Sequence, residues 1–219
     1  MFIGLRLLIK IRAYWIRRNF LNKDSQVELN NPWLKIIIIK ERGARFICRG
    51  KLLFFSHFGG NDPVYIHLRE NSFFQIEGDF TIGNGVQIFV NENGYLRIGG
   101  KNVESESGIT CDSRIYAYKR IEIGKDFLCA WDVFITDSDW HSIKYDDVTS
   151  ALSSDVIIGD HVWVSNSCNI LKGTRIGDGS IVGTKSLLRN KTYPKQSLIV
   201  GTPGKVIKHN CEWKRDLLV

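Results

Sequence analysis

Residues 156–188 read VIIGDHVWVSNSCNILKGTRIGDGSIVGTKSLL, and an aliphatic side chain returns at every sixth place: Ile158, Val164, Ile170, Ile176, Val182 and Leu188. Four residues after each of the first five stands a second series: Val162, Cys168, Thr174, Ser180 and Ser186. Glycine follows the aliphatic at Gly159, Gly177 and Gly183. A helix would repeat near 3.6 residues and a half-buried strand at two, so neither gives a six-residue step. A short repeat sustained this long marks a solenoid, and a hexapeptide unit specifies a β-helix. Each unit supplies one side of a triangular coil, with the aliphatic pointing inward and the smaller residue near the corner. Coils stack at strand spacing, ~4.8 Å, through backbone hydrogen bonds. The chain is expected to be all-β, a left-handed parallel β-helix of hexapeptide repeats.

Working outward, the pattern continues toward the N-terminus with less regularity. Ile76, Ile82 and Ile88 are six apart, Ile98-Gly99 opens another unit, and Ala117, Ile123, Cys129 and Ile135 keep the step. These place the β-helix domain at 72–204. Residues 1–71 are expected to hold an N-terminal basic amphipathic helix and irregular capping strands, and 205–219 a basic C-terminal tail. The main break, TDSDWHSIKYDDVTSALSSD at 136–155, is polar and contains His141. Long excursions from a regular scaffold are where function concentrates.

Charge is polarised. The total is +7, yet residues 1–23 hold six Lys/Arg and no acid, and the chain from Lys185 onward holds eight bases and two acids. The middle is therefore acidic, which speaks against nucleic acid as a partner. Five scattered cysteines without a CxxC or Cys/His cluster suggest reduced thiols and no metal site. The segment 2–21 mixes apolar residues with Arg6, Lys10, Arg12, Arg17 and Arg18, which rules out a membrane span and a clean signal peptide. It suits a helix packed on the domain or lying on an anionic membrane. The expected location is cytoplasmic, with peripheral contact at the inner membrane open.

The ladder ending in IVGTKSLLRN, followed by YPKQSLIVGTPGKVIK, resembles the hexapeptide-repeat acyltransferases of the xenobiotic and galactoside acetyltransferase type. The preceding DSDWHSI resembles the loop of bacterial surface-polysaccharide O-acetyltransferases, including the sialic acid capsule enzymes. The likeness spans residues 72–210. It implies a homotrimer of parallel β-helices with acetyl-CoA in the groove between neighbours. It also implies transfer of acetyl to a hydroxyl of a capsule or lipopolysaccharide sugar, with His141 as general base. A reference imidazole, with a pKa of about 6.5, is mostly unprotonated at neutral pH. Asp137 and Asp139 are candidates to orient the ring, and Trp163 matches a tryptophan lining the acetyl pocket. Asn166, Gly183 and Thr184 match positions near the pantetheine arm, and Arg189 falls where the family often has Thr followed by Lys. Lys205 and Lys208 would face the nucleotide phosphates. Trp140 could stack on the acceptor sugar. His161 is read as structural or exposed.

Three rival functions fit parts of the sequence. An N-acetyltransferase acting on an amino nucleotide sugar needs the same fold, donor and base. A zinc hydratase on this scaffold would need a histidine pair at HxxxxH spacing, which is absent. A non-catalytic solenoid leaves the histidine loop without a purpose.

Overall fold

The computed structural model describes residues 3–100 and 107–215, in which an N-terminal helix leads into a three-sided parallel β-helix. One coil contributes Phe80–Gly83 to a first sheet, Gln87–Val90 to a second and Tyr95–Ile98 to a third; Gly108–Cys111 then returns to the first. Among the described residues the sheets hold nine, seven and seven strands, and strand neighbours within the helix lie one coil apart in the chain. The expected β-helix is what the chain forms.

Stacking in register turns the six-residue step into three inward ladders. Ile82, Ile109, Cys129, Val164, Val182 and Ile199 form the first. Ile66, Ile88, Ile115, Ile135, Ile170 and Leu188 form the second. Ile76, Ile98, Ile123, Ile158, Ile176 and Tyr193 form the third. All are buried. Successive aliphatics of the repeat therefore enter the three ladders in rotation. Each gains contacts above and below that it could not find within its own unit.

The corners explain the second series. Val162, Cys168, Thr174, Ser180 and Ser186 are all fully buried where the prism narrows. Each turn carries a residue in left-handed conformation: His161, Ser167, Lys185, Asn190 and Gln196 have φ between 45° and 58°. Between the third and first sheets glycines stack coil on coil. A Cβ on Gly124 would lie 2.5 Å from the carbonyl carbon of Gly159, so backbone contact leaves that corner no room for a side chain.

The sheets also run N-terminal of residue 72, through Gln26–Leu29, Ile36–Lys40, Arg45–Cys48, Lys51–Phe55 and Val64–Leu68. Aromatic residues occupy inward places here, with Phe46 stacked on Phe74 at 4.6 Å. Longer corners stretch the step beyond six residues, so the aliphatic hexapeptide pattern does not register. The helix Ile3–Phe20 closes this end. Ala13 and Ile16 are buried against the prism core, with Ile9 and Phe20 packed beside them. The Arg12 guanidinium donates to the carbonyls of Pro32 and Leu34.

Candidate active site

The coil leaves the prism at the corner between the second and third sheets, after Phe134–Thr136, and returns at Val156–Ile158. The excursion has a closed neck. Ser138 bridges Ser153, the Asp139 amide donates to the Leu152 carbonyl at 3.1 Å, and the Ser154 amide donates to the Asp137 carbonyl at 2.9 Å. Its tip is a small antiparallel hairpin, Lys144–Tyr145 with Val148–Thr149. His141 stands between neck and tip, exposed, and its ring makes no hydrogen bond among the described residues.

Two acidic residues hold this neck, each through its own partners. The fully buried Asp137 carboxylate accepts backbone N–H bonds from Tyr118, Lys119 and Arg120 at 2.6–2.7 Å. Three converging donors compensate for its lost hydration without a cation. Asp139 pairs with Lys172 at 2.6 Å, and the same ammonium donates to the Ala151 carbonyl at 2.5 Å. One side chain from the next coil thus grips both limbs of the excursion. The sequence reading did not single out Lys172. It occupies a variable outward place in the repeat, and its partners are distant in the chain, so no one-dimensional signal marks it.

Trp140 turns back onto the second sheet with φ +62° and its amide bonded to Ser138 Oγ. Its ring lies 5.5 Å from Tyr118, 5.8 Å from Phe89 and 6.3 Å from Tyr116. With Tyr65, Phe89, Tyr116 and Phe134 it lines a largely apolar cavity of about 440 Å³. A second cavity, of about 430 Å³, lies beneath the excursion and brings Asp139, Tyr145 and Lys172 together with Arg189 and Asn190.

The remaining candidates lie on other sides of the prism. Asn166 and Thr184 are adjacent at the corner between the first and second sheets, where Thr184 Oγ1 donates to Asn166 Oδ1 at 3.0 Å. Gly183 shares that corner, its Cβ position 2.5 Å from Val200 Cγ1. Lys205 and Lys208 end an exposed strand that folds back antiparallel on Leu198–Val200. Arg189 is one corner away from the Asn166–Thr184 pair, on the His141 side. Trp163 is half-buried on the first sheet, 6.0 Å from Trp213.

Trp213 is a second residue that the sequence reading passed over. It stacks on His161 at 4.1 Å with the rings 6° apart, and its indole N–H donates to the His161 carbonyl at 2.9 Å. An aromatic residue in an otherwise basic tail was the available signal. His67 bonds Glu41 at 2.8 Å, and that bond, with Arg69 nearby, holds the Glu41 carboxyl below its usual range.

The described chain is thus a three-sided prism broken by a pinned, histidine-bearing excursion. Its class follows from the known proteins it is similar to. The chain matches the family described as "Bacterial transferase hexapeptide (six repeats)" over residues 155–190. It is 32% identical over 163 residues to WbbJ of Escherichia coli strain K12, which bears the name of a lipopolysaccharide biosynthesis O-acetyl transferase. That match covers 69% of this chain and 79% of the relative. The polysialic acid O-acetyltransferase of Neisseria meningitidis is 28% identical, over 73% of this chain and 78% of its own. Among solved structures, the polysialic-acid-specific acetyltransferase NeuO aligns at 22% identity with a TM-score of 0.48, covering 84% of each chain. The chain belongs to the hexapeptide-repeat acyltransferases and is an enzyme of that class.

Proposed function

We propose that the protein transfers acetyl from acetyl-CoA to a hydroxyl of a bacterial surface polysaccharide sugar, in capsule or lipopolysaccharide, with His141 as general base. The observation that carries this is the setting of His141. Its imidazole is exposed and makes no hydrogen bond among the described residues, on an excursion gripped at both limbs, and the preceding Trp140 lines an aromatic cavity. A base must have a vacant nitrogen, and a rigid mount fixes its reach.

In the proposed step His141 takes the hydroxyl proton as the sugar oxygen attacks the thioester carbonyl. The tetrahedral intermediate collapses with cleavage of the C–S bond, and the proton passes to the departing CoA thiolate. Backbone N–H groups supply the oxyanion donors. The aromatic floor beside Trp140 suits the apolar C–H face of a pyranose. Asn166, Gly183 and Thr184 are assigned to the pantetheine arm, Lys205 and Lys208 to the phosphates, Arg189 to a further donor contact and Trp163 to the acetyl pocket. Asp139 acts by fixing the excursion through Lys172.

His141 and the Asn166–Thr184 pair occupy different corners of one prism. The reading therefore requires a neighbouring copy to bring the second half of the site, as in a homotrimer. The test is calorimetric binding of acetyl-CoA, followed by a panel of capsular, O-antigen and amino-nucleotide-sugar acceptors. His141→Ala is expected to lower kcat by ~10²–10⁴-fold while CoA still binds. No affinity for acetyl-CoA would overturn the proposal, and acetylation of the amine acceptors alone would replace its hydroxyl assignment.

A further inference from the structure

The helix Ile3–Phe20 is apolar on two sides. One side, with Ile9, Ala13, Ile16 and Phe20, packs on the prism core. The other faces away: Leu7, Ile11, Tyr14 and Trp15 are each more than half exposed. On a helical wheel these four form one continuous stripe, spaced by four, three and one residues. Arg6 and Lys10 run along one edge of it, and Arg18 falls within it beyond Ile11. Arg18 also donates to the Tyr14 hydroxyl at 3.0 Å. No acidic residue occurs before Asp24.

A helix whose only task was to close the prism would present a polar outer face. Here packing on the core cannot account for the outward stripe, because Ile16 and Ile9 on the opposite side already do that work. An apolar stripe with aromatic residues and an all-cationic margin matches the boundary between acyl chains and anionic headgroups. We infer that the outer face of this helix seats the enzyme on an anionic lipid surface, with Leu7, Ile11, Tyr14 and Trp15 buried at the interface and Arg6, Lys10 and Arg18 on the phosphates. No described helix is long and apolar enough to cross a membrane, so the contact is peripheral. The His141 excursion follows the fifth strand of the second sheet, several coils along the prism from the end that the helix closes.

The test is co-sedimentation of the full chain with vesicles of phosphatidylcholine alone and of phosphatidylcholine with phosphatidylglycerol. Binding is expected to the anionic vesicles and to weaken at least tenfold when salt rises from 0.1 to 0.5 M, roughly the loss expected when several surface charges are screened. The double variant Leu7→Gln/Ile11→Gln changes only exposed side chains. It is expected to keep the wild-type melting temperature and CoA binding while losing most of the vesicle binding. Failure of wild-type protein to bind anionic vesicles, or equal binding by the double variant, would overturn the inference. So would a change in sedimentation mass of the variant without lipid, since a second copy would then be what covers the stripe. CoA binding is independent of all these outcomes, so failure here is distinguishable from failure of the acetyl-transfer reading.

Discussion

Lys172 shows how much one side chain can settle. Its ammonium bridges Asp139 and Ala151 on opposite limbs of the excursion, and only 17% of the side chain is exposed, so the ion pair is partly shielded from water. Removing it leaves Asp139 without its cation and His141 on a looser mount. We expect Lys172→Met to lower kcat by up to ~10²-fold, the cost of a displacement near 1 Å, with KM for acetyl-CoA little changed. Lys172→Arg should recover most of the rate. Steady-state kinetics of both variants check this, and a loss confined to KM would count against a positioning role. Thr174 offers the opposite case. It is fully buried, and its hydroxyl has no hydrogen-bond partner among the described residues. Thr174→Val keeps the shape and discards the unsatisfied group, and is expected to raise unfolding stability by ~1 kcal/mol, read from urea denaturation.

At the level of elements, the short strands have no stability of their own and depend on the ladders. Ile170 sits between Ile135 below and Leu188 above, fully buried. Ile170→Ala should cost about 2–5 kcal/mol, measured by the shift in denaturation midpoint, because the prism cannot collapse around the void without breaking register. The excursion works by other rules. Its hairpin tip is exposed along both strands, and its order comes from Asp137, Asp139 and the neck. From the sequence its limits were legible as a failure of the six-residue step. The hydrogen bonds that hold it were not, since Asp137 draws on amides of the preceding coil and Asp139 on a lysine of the following one.

For the molecule as a whole, the thiols report how dry the interior is. Burial pushes Cys48 up to about 11 and Cys111 up to about 12, and raises Cys129 and Cys168 as well. A thiol whose folded pKa lies above its unfolded value, about 8.5, contributes stability that is complete below that value and lost as pH climbs toward the folded one. Denaturation midpoints should therefore hold steady from pH 7 to 8.5 and fall between about 9 and 11. Cys129→Ala is expected to shift the curve down throughout while flattening its alkaline slope. An Ellman titration of native protein at pH 8 should find only Cys211, the one cysteine of the five that is not buried.

The sequence by itself determined the architecture, because a hexapeptide repeat admits one way of burying an aliphatic at every sixth place. It also marked the excursion, by the length over which that repeat fails. Where Phe46, Phe54 and Phe74 replace aliphatics and the corners lengthen, the same sheets continue without a one-dimensional signature. Only the tertiary structure decided which residues meet. It joined Lys172 to Asp139, Trp213 to His161, and Trp140 to the aromatic floor of Phe89 and Tyr116. The physical reason is that outward-facing side chains of a solenoid are unconstrained by the repeat. Their partners come from neighbouring coils, a spacing set by excursions and corner lengths rather than by the period.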